Sequence, residues 1–144
     1  MKSNKNHLKY SKGVDHSMEY VPKKGKYILP RNLYLQTLYQ IRDFNRLKEK
    51  AESIMTESQA PDDGQPKSKF PGDITASKAQ RREMYLKKIK IIERSLLEVP
   101  EEYRNGVWEN VMHKSPYPED ANRTTYGRYK SKFIYEVAHA LYLI

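Results

Sequence analysis

Residues 122–144 read NRTTYGRYKSKFIYEVAHALYLI, and their apolar side chains recur every three or four positions. These side chains form one stripe of a helix, which consists of Tyr126, Tyr129, Phe133, Val137, Ala140 and Ile144. The other side of the same helix carries Thr124, Arg128, Ser131 and Lys132. The pattern predicts a helix with one face for a protein core and one face for an anionic partner.

A shorter helix, expected over residues 100–113, precedes this one. Glu101 and Glu102 suit its first turn, because carboxylates complement the positive end of the helix dipole. The face expected to anchor the C-terminal core consists of Tyr103, Val107, Trp108 and Val111. A turn with Pro116 and Pro118 follows, and Asn122 or Thr124 can cap the last helix. Together the two helices predict a helix-turn-helix whose second helix can enter a DNA major groove.

The first half of the chain is expected to contain an arm, a helix and a linker. Residues 1–29 are rich in lysine and show no sustained period, which predicts a flexible basic arm. Residues 30–58 are expected to form one long helix with a seam made of Tyr34, Thr37, Ile41, Phe44, Lys48, Ala51 and Met55. The seam suits either a homodimer through residues 34–55 or docking within the chain, and the pattern leaves both open. Residues 59–77 contain three prolines and two glycines, which predicts a linker.

Residues 78–144 are expected to form the helix-turn-helix domain. Its first helix can be capped by Asp73, Thr75 or Ser77, and its apolar stripe consists of Tyr85, Ile89, Ile92 and Leu96. The basic residues on the rest of that helix are interpreted as a solvated surface. No strand-like alternation of useful length occurs, so the predicted class is all-α: a long N-terminal helix, a flexible linker and a C-terminal bundle.

The charge of the chain favours an anionic partner. Lysine and arginine number 27 against 18 acids, a net charge of +9. Residues 122–144 hold four basic residues and one acid, whereas residues 100–121 hold two basic residues and five acids. The expected reading helix is therefore basic and its supporting helix is acidic, as expected if only selected surfaces meet phosphate.

Several classes of function find no support in the residue types. The chain has no cysteine, which excludes disulfides, thiolate zinc sites and cysteine nucleophiles. Its four histidines are widely separated and form no metal-binding motif, and no glycine-rich phosphate loop occurs. No stretch approaches the length of an apolar membrane span. We therefore expect a cytoplasmic, non-enzymatic protein without a metal or cofactor.

The outward face of the last helix supplies the expected DNA contacts. Arg128 lies on its N-terminal half and suits a bidentate contact with guanine. Thr125 suits a base or its methyl group, and Arg123, Lys130 and Lys132 suit phosphates. The complete set of predicted contact residues is Arg123, Thr124, Thr125, Arg128, Ser131 and Lys132. A solvated helix face without a partner remains the alternative.

Two stretches carry a family resemblance. APDDGQPKSKFPGDITASKA at residues 60–79 and IIERSLLEVPEEYRNGVWENVMHKSPYPEDANRTTYGRYKSKFIYEVAHALYLI at residues 91–144 resemble prophage-encoded regulators of the RinA and ArpU kind. The resemblance implies a helix-turn-helix similar to region four of sigma factors, activation of phage late genes in a bacterial host, and contact with RNA polymerase. Residues 103–113 then resemble the supporting helix, residues 118–122 a reduced first helix, and residues 124–133 the reading helix.

Two other classes of protein remain open at this level. A small terminase subunit, which serves DNA packaging, also joins a helix-turn-helix to an oligomerising helix, and the seam in residues 34–55 is compatible with it. A protein-interaction module whose basic helices bind an acidic partner is the other class. Solution mass separates the first from a regulator, because a closed ring favours packaging.

Overall fold

The computed structural model describes residues 19–58 and 71–142, and every regular element in these two ranges is a helix. In chain order the helices are α1 (Arg31–Arg42), α2 (Phe44–Ser58), α3 (Pro71–Leu97), α4 (Glu101–His113) and α5 (Arg123–Tyr142). None of these described helices is both long and apolar enough to cross a membrane. The predicted all-α class is confirmed for this part of the chain.

The single helix predicted over residues 30–58 is wrong, because the chain breaks at Asp43 between α1 and α2. The Asp43 N–H donates to the Gln40 carbonyl at 3.2 Å. This bond spans three residues rather than four, which is typical of a helix end. The Asp43 carboxylate accepts two hydrogen bonds from the Arg46 guanidinium, at 2.9 and 2.6 Å. A short acidic side chain that bonds locally favours such a break, and the apolar stripe continues across it.

The seam in residues 30–58 is buried within the chain itself. Five of the predicted seam residues are buried, namely Tyr34, Thr37, Ile41, Phe44 and Ala51. The predicted seam residue Lys48 is instead exposed, and the Met55 side chain lies outside the described residues. Three residues that the seam omitted are also buried, namely Leu38, Leu47 and Ile54. Because α2 packs on α3, and α1 packs on α4 and α5, these helices belong to the core and form no separate arm.

The linker predicted over residues 59–77 is wrong in its second part. Residues 59–70 lie outside the described residues, but α3 already begins at Pro71, so Asp73, Thr75 and Ser77 lie inside the helix rather than at its cap. Proline is compatible with the first position of a helix, since its missing N–H would have no helical partner there. Farther along, α3 buries Ile89 and Ile92 as predicted.

Helix α5 lies at the centre of the core. Tyr126, Phe133 and Val137 are fully buried, as the stripe predicted. Ala140 is exposed, however, and Ile144 lies outside the described residues. Ile134 and Ala138 are buried in addition, because α1, α3 and α4 all pack on α5 and cover a wider stripe than one partner would.

Trp108 anchors this core, as expected. Its ring lies 5.2 Å from the Phe44 ring and 6.4 Å from the Phe133 ring, measured between centroids. It therefore joins α4 to both α2 and α5. The interpretation of this residue as part of the core is confirmed.

The connection between α4 and α5 contains no helix, so the reduced first helix expected at residues 118–122 is wrong. Helix α4 ends at His113, and the following residue, Lys114, adopts the left-handed conformation with a φ of 59°. The Tyr117 ring stacks on the Tyr126 ring at 5.1 Å, and the Tyr126 hydroxyl donates to the Asp120 carboxylate at 2.7 Å. Burial and this hydrogen bond raise the pKa of Tyr126 to about 12. Aromatic packing therefore holds the connection in place of a helix, since two prolines disfavour one there.

Residues 19–29, which we call the wall segment, are not the mobile arm predicted for residues 1–29. Residues 1–18 lie outside the described residues, but Val21 and Leu29 are buried in the core. Gly25 turns the segment with a φ of +114°, a conformation that glycine alone adopts easily. The high lysine content of this stretch favoured the prediction of an arm, although the stretch contains two core residues. The segment runs beside α5.

Candidate nucleic-acid interface

The N-terminal half of α5 carries an open polar face. The Asn122 side chain caps this helix by accepting a hydrogen bond from the Thr124 N–H at 3.0 Å, as predicted. Thr124 and Arg128 are exposed, and Ser131 is half-buried. Among residues 19–58 and 71–142, no group forms a hydrogen bond or ion pair with the Arg128 guanidinium. Its charge is therefore available to an external anion.

A groove of about 710 Å³ separates this face from the wall segment. Three predicted contact residues, Thr124, Arg128 and Ser131, line its α5 side together with Gly127. The other side is lined by Tyr20, Pro22, Lys24, Gly25, Lys26 and Tyr27. Of the ten residues that line the two sides of the groove, three are basic and none is acidic. The groove therefore combines cations, hydroxyl groups and aromatic rings, the chemistry that phosphate backbones and nucleosides bind.

One end of the wall segment is fixed by Glu19. Its carboxylate pairs with Arg42 at 3.0 Å and with Lys114 at 3.0 Å, and Arg42 also donates to the Val111 carbonyl at 2.7 Å. Burial alone would raise the pKa of Glu19, but the hydrogen bonds from Arg42 and Lys114 outweigh it and lower that pKa. The segment is thus tied to both α1 and the end of α4.

The other end of the wall segment rests on α5. The Tyr27 ring packs edge-on against the Tyr135 ring, with centroids 5.5 Å apart. Together with buried Leu29, this contact holds the chain beyond the Gly25 turn. The wall segment is therefore positioned on both sides of Lys24 and Lys26, both of which are exposed.

The other three predicted contact residues lie away from the groove. Arg123 is exposed but lines a separate depression beside the α4–α5 connection, next to Pro118 and Glu119. Thr125 and Lys132 are half-buried and line neither of these two cavities. The structure thus brings together three of the six predicted residues.

Lys130, predicted to contact phosphate, does not belong to the open face. It is half-buried, and burial lowers its pKa. Glu19 raises this pKa, whereas Arg42 and Lys114 lower it further, so Lys130 faces the cluster that anchors the wall segment. Because Lys130 is half-buried beside two other cations, we do not include it among the residues of the open face.

The fixed position of the wall segment was not predicted from the sequence. Its Lys24, Lys26 and Tyr20 came from a stretch expected to be mobile. A signal was present in residues 20–30, YVPKKGKYILP, where a Lys-Lys-Gly-Lys turn is flanked on both sides by apolar residues and prolines. The anchoring partners Arg42 and Lys114 are distant in sequence, which is why the local pattern alone did not reveal the contact.

Another depression, of about 450 Å³, has the opposite character. Apolar Phe44, Ile92, Leu96 and Trp108 line it, with the carboxylates of Glu93 and Glu101 beside Arg104. These acids disfavour phosphate there. In the described ranges, no three histidine, aspartate or glutamate side chains are grouped so that they could hold a metal ion.

Comparison of the chain with protein-family models, with curated proteins and with solved structures gave no match. The geometry of the groove and of α5 is accordingly the basis for a functional proposal.

Proposed function

We propose that this protein is a phage or prophage transcriptional regulator that binds duplex DNA in a sequence-specific manner, and that it activates late genes in the cytoplasm of a bacterial host. Double-stranded DNA is its principal partner in this proposal, and RNA polymerase is a second. The proposal needs no cofactor and no catalytic residue. The activating role and the polymerase contact rest on the resemblance of residues 60–144 to phage regulators.

The observation that carries the proposal is the exposed guanidinium of Arg128, which pairs with no group of residues 19–58 and 71–142 and lies on the first half of a capped helix. An arginine in this place can reach the O6 and N7 atoms of guanine, which is the commonest specific contact in the major groove. Thr124 lies one turn earlier on the same groove-lining face. The N-terminal half of a recognition helix is the part that contacts bases in helix-turn-helix proteins.

A packaging role of the small-terminase kind receives no support from the described residues. The seam in residues 34–55, for which a homodimer and docking within the chain were both open, is covered by α3, α4 and α5 of the same chain. We therefore propose a regulator that reads DNA through α5, and any dimer must use a surface other than this seam.

The test is binding to duplexes selected from a random-sequence pool by repeated rounds of retention on the protein. Arg128→Ala is expected to weaken binding to the selected duplex by about 1–3 kcal/mol and to relax the preference at one base pair. Lys132→Ala is expected to weaken binding to all duplexes alike. Lys50→Ala, an exposed lysine on α2, is the matched control and should bind like the parent protein.

Two outcomes would contradict the proposal. If Arg128→Ala and Lys132→Ala together leave affinity and sequence preference intact, α5 does not read DNA. If the parent protein retards no duplex at low salt, the protein-interaction alternative takes its place.

A further inference from the structure

The groove between the wall segment and α5 has features that a solvated helix face does not require. We propose that this groove binds the sugar-phosphate backbone of one strand, so that the wall segment clamps the duplex read by α5. This inference rests on the proposed DNA-binding function. It assigns a binding role to residues of the wall segment, which lies outside the helix-turn-helix.

The charges of the groove match a polyanion. Lys24 and Lys26 lie on the wall side of the groove, and the Thr124 and Ser131 hydroxyls lie on the α5 side as donors. A strand carries one phosphate about every 3.4 Å of duplex axis, so the two lysines can meet successive phosphates of that strand while Arg128 contacts a base. The absence of acids among the lining residues removes the competing repulsion.

The floor of the groove is open at Gly127. A Cβ built on Gly127 would meet no atom within 4 Å, so packing within the described chain does not require glycine there. Glycine inside a helix costs about 1 kcal/mol relative to alanine. A bare helix surface lets a sugar approach the α5 backbone closely, which is the common use of glycine at a ligand-facing position.

Tyr20 adds an aromatic surface at the rim. Its side chain is 77% exposed, although its neighbour Val21 is buried and fixes the backbone. An exposed aromatic ring beside cations suits stacking on a sugar or an unstacked base. The wall segment thus presents both a ring and two ammonium groups to the same ligand.

The clamp is formed before the ligand binds. The Glu19 ion pairs and the contact between Tyr27 and Tyr135 hold the wall segment on both sides of the Gly25 turn. A preformed wall loses little conformational entropy on binding, which favours affinity. Lys24 and Lys26 should therefore bind phosphate as fixed contacts.

The test compares two double variants that remove the same charge from the full-length protein. Lys24→Ala with Lys26→Ala removes both positive charges from the wall side of the groove. Lys50→Ala with Lys87→Ala removes two exposed lysines that lie outside the groove. Binding to the selected duplex is measured over a range of salt concentrations. The affinity of the parent should fall with salt. In the groove variant this dependence should be less steep, with the magnitude of the slope of log affinity against log salt reduced by about 2, one for each phosphate contact. In the control the magnitude should change much less.

A third variant tests the floor without removing charge. Gly127→Gln places a polar chain in the groove and replaces glycine with a better helix former, so it should bind DNA more weakly while its thermal stability is equal or higher. The proposal of a clamp is overturned if the two double lysine variants give the same salt slope and Gly127→Gln binds normally. This holds even where Arg128→Ala still weakens binding. A parent protein that binds no duplex overturns the proposed function and the clamp together.

Discussion

Gly106 and Gly127 are both helical glycines, yet their surroundings are opposite. A Cβ built on Gly106 of α4 would lie 2.6 Å from Tyr126 Cε1 and 2.8 Å from Pro118 Cδ. Real Cβ atoms do not approach other atoms so closely, so the α4 backbone can lie against Tyr126 and the α4–α5 connection only without a side chain at 106. Gly127 has no such neighbour among residues 19–58 and 71–142.

The same substitution should therefore change stability in opposite directions at these two positions. Gly106→Ala is expected to lower the free energy of unfolding by about 1–3 kcal/mol, since overpacking outweighs the better helix propensity of alanine. Gly127→Ala is expected to raise it by about 0.5–1 kcal/mol. Urea denaturation followed by circular dichroism measures both changes, and shifts of the same sign would contradict the argument.

At the level of residues, the sequence predicted what depends on one helix alone. The exposure of Arg128 and Thr124 follows from their angular distance from Phe133, and the structure bears it out. Lys130 is half-buried instead, and its charged neighbours Glu19 and Lys114 belong to other elements, which no helical wheel contains. The exposure of a side chain was predicted correctly where it depends on helical periodicity alone. It was predicted wrongly where it depends on contacts with another element.

At the level of elements, one end of the wall segment is held by a single carboxylate, that of Glu19. Arg42 and Lys114 hold the pKa of Glu19 below its usual value despite the opposing effect of burial. The ion pairs therefore stabilise the fold fully above the carboxyl's unfolded pKa, which is near 4.5. This stabilisation is lost as the pH falls through the lower, folded value.

Glu19→Gln should consequently destabilise the protein in a pH-dependent manner. Near neutral pH we expect a loss of about 1–3 kcal/mol, because two cations lose a charged hydrogen-bond partner. At a pH below the folded pKa of Glu19, the variant and the parent should approach the same stability. Urea denaturation at both pH values measures the two gaps. Glu49→Gln, on the exposed side of α2, is the matched control and should cost much less stability near neutral pH, and a constant gap for Glu19→Gln would refute the ion-pair account.

Element boundaries were predicted where local chemistry marks them. Helix α4 begins after Pro100, as this proline and the two first-turn glutamates indicated, and α5 begins after its cap Asn122. The break at Asp43 was missed because the apolar spacing of residues 30–58 runs through it without interruption. The start of α3 at Pro71 was missed because prolines and glycines nearby also suit a linker.

For the whole molecule, residues 19–58 do not form an arm separate from the predicted helix-turn-helix domain. One core cluster includes Tyr34, Leu38 and Ile41 of α1 together with Val107 of α4 and Phe133 of α5. Contacts between segments so far apart in sequence leave no local signature. The helix content could be predicted from the sequence, but the way the helices share one core could not.

A fragment of residues 78–144, the predicted DNA-binding domain, should therefore not fold cooperatively alone. Without α1 and α2, it would expose Ile134, Val137 and Ile92, which are buried in the intact protein. Thermal denaturation followed by circular dichroism should show a broad decline in place of a sigmoidal transition. A chain of residues 19–144 keeps every described core contact and should retain the transition. Sharp melting of the shorter fragment would show that α4 and α5 suffice.

Trp108 is the only tryptophan of the chain, and it lies between Phe44 and Phe133 at the meeting point of α2, α4 and α5. It does not line the groove where DNA is proposed to bind. Its intrinsic fluorescence consequently reports whether three helices remain assembled, without a label and without direct quenching by a ligand in that groove. The emission spectrum of a variant that fails to bind DNA thus shows whether the variant is still folded. An unchanged spectrum indicates that only the contacts with DNA are lost, and a shifted spectrum indicates that the helices have come apart.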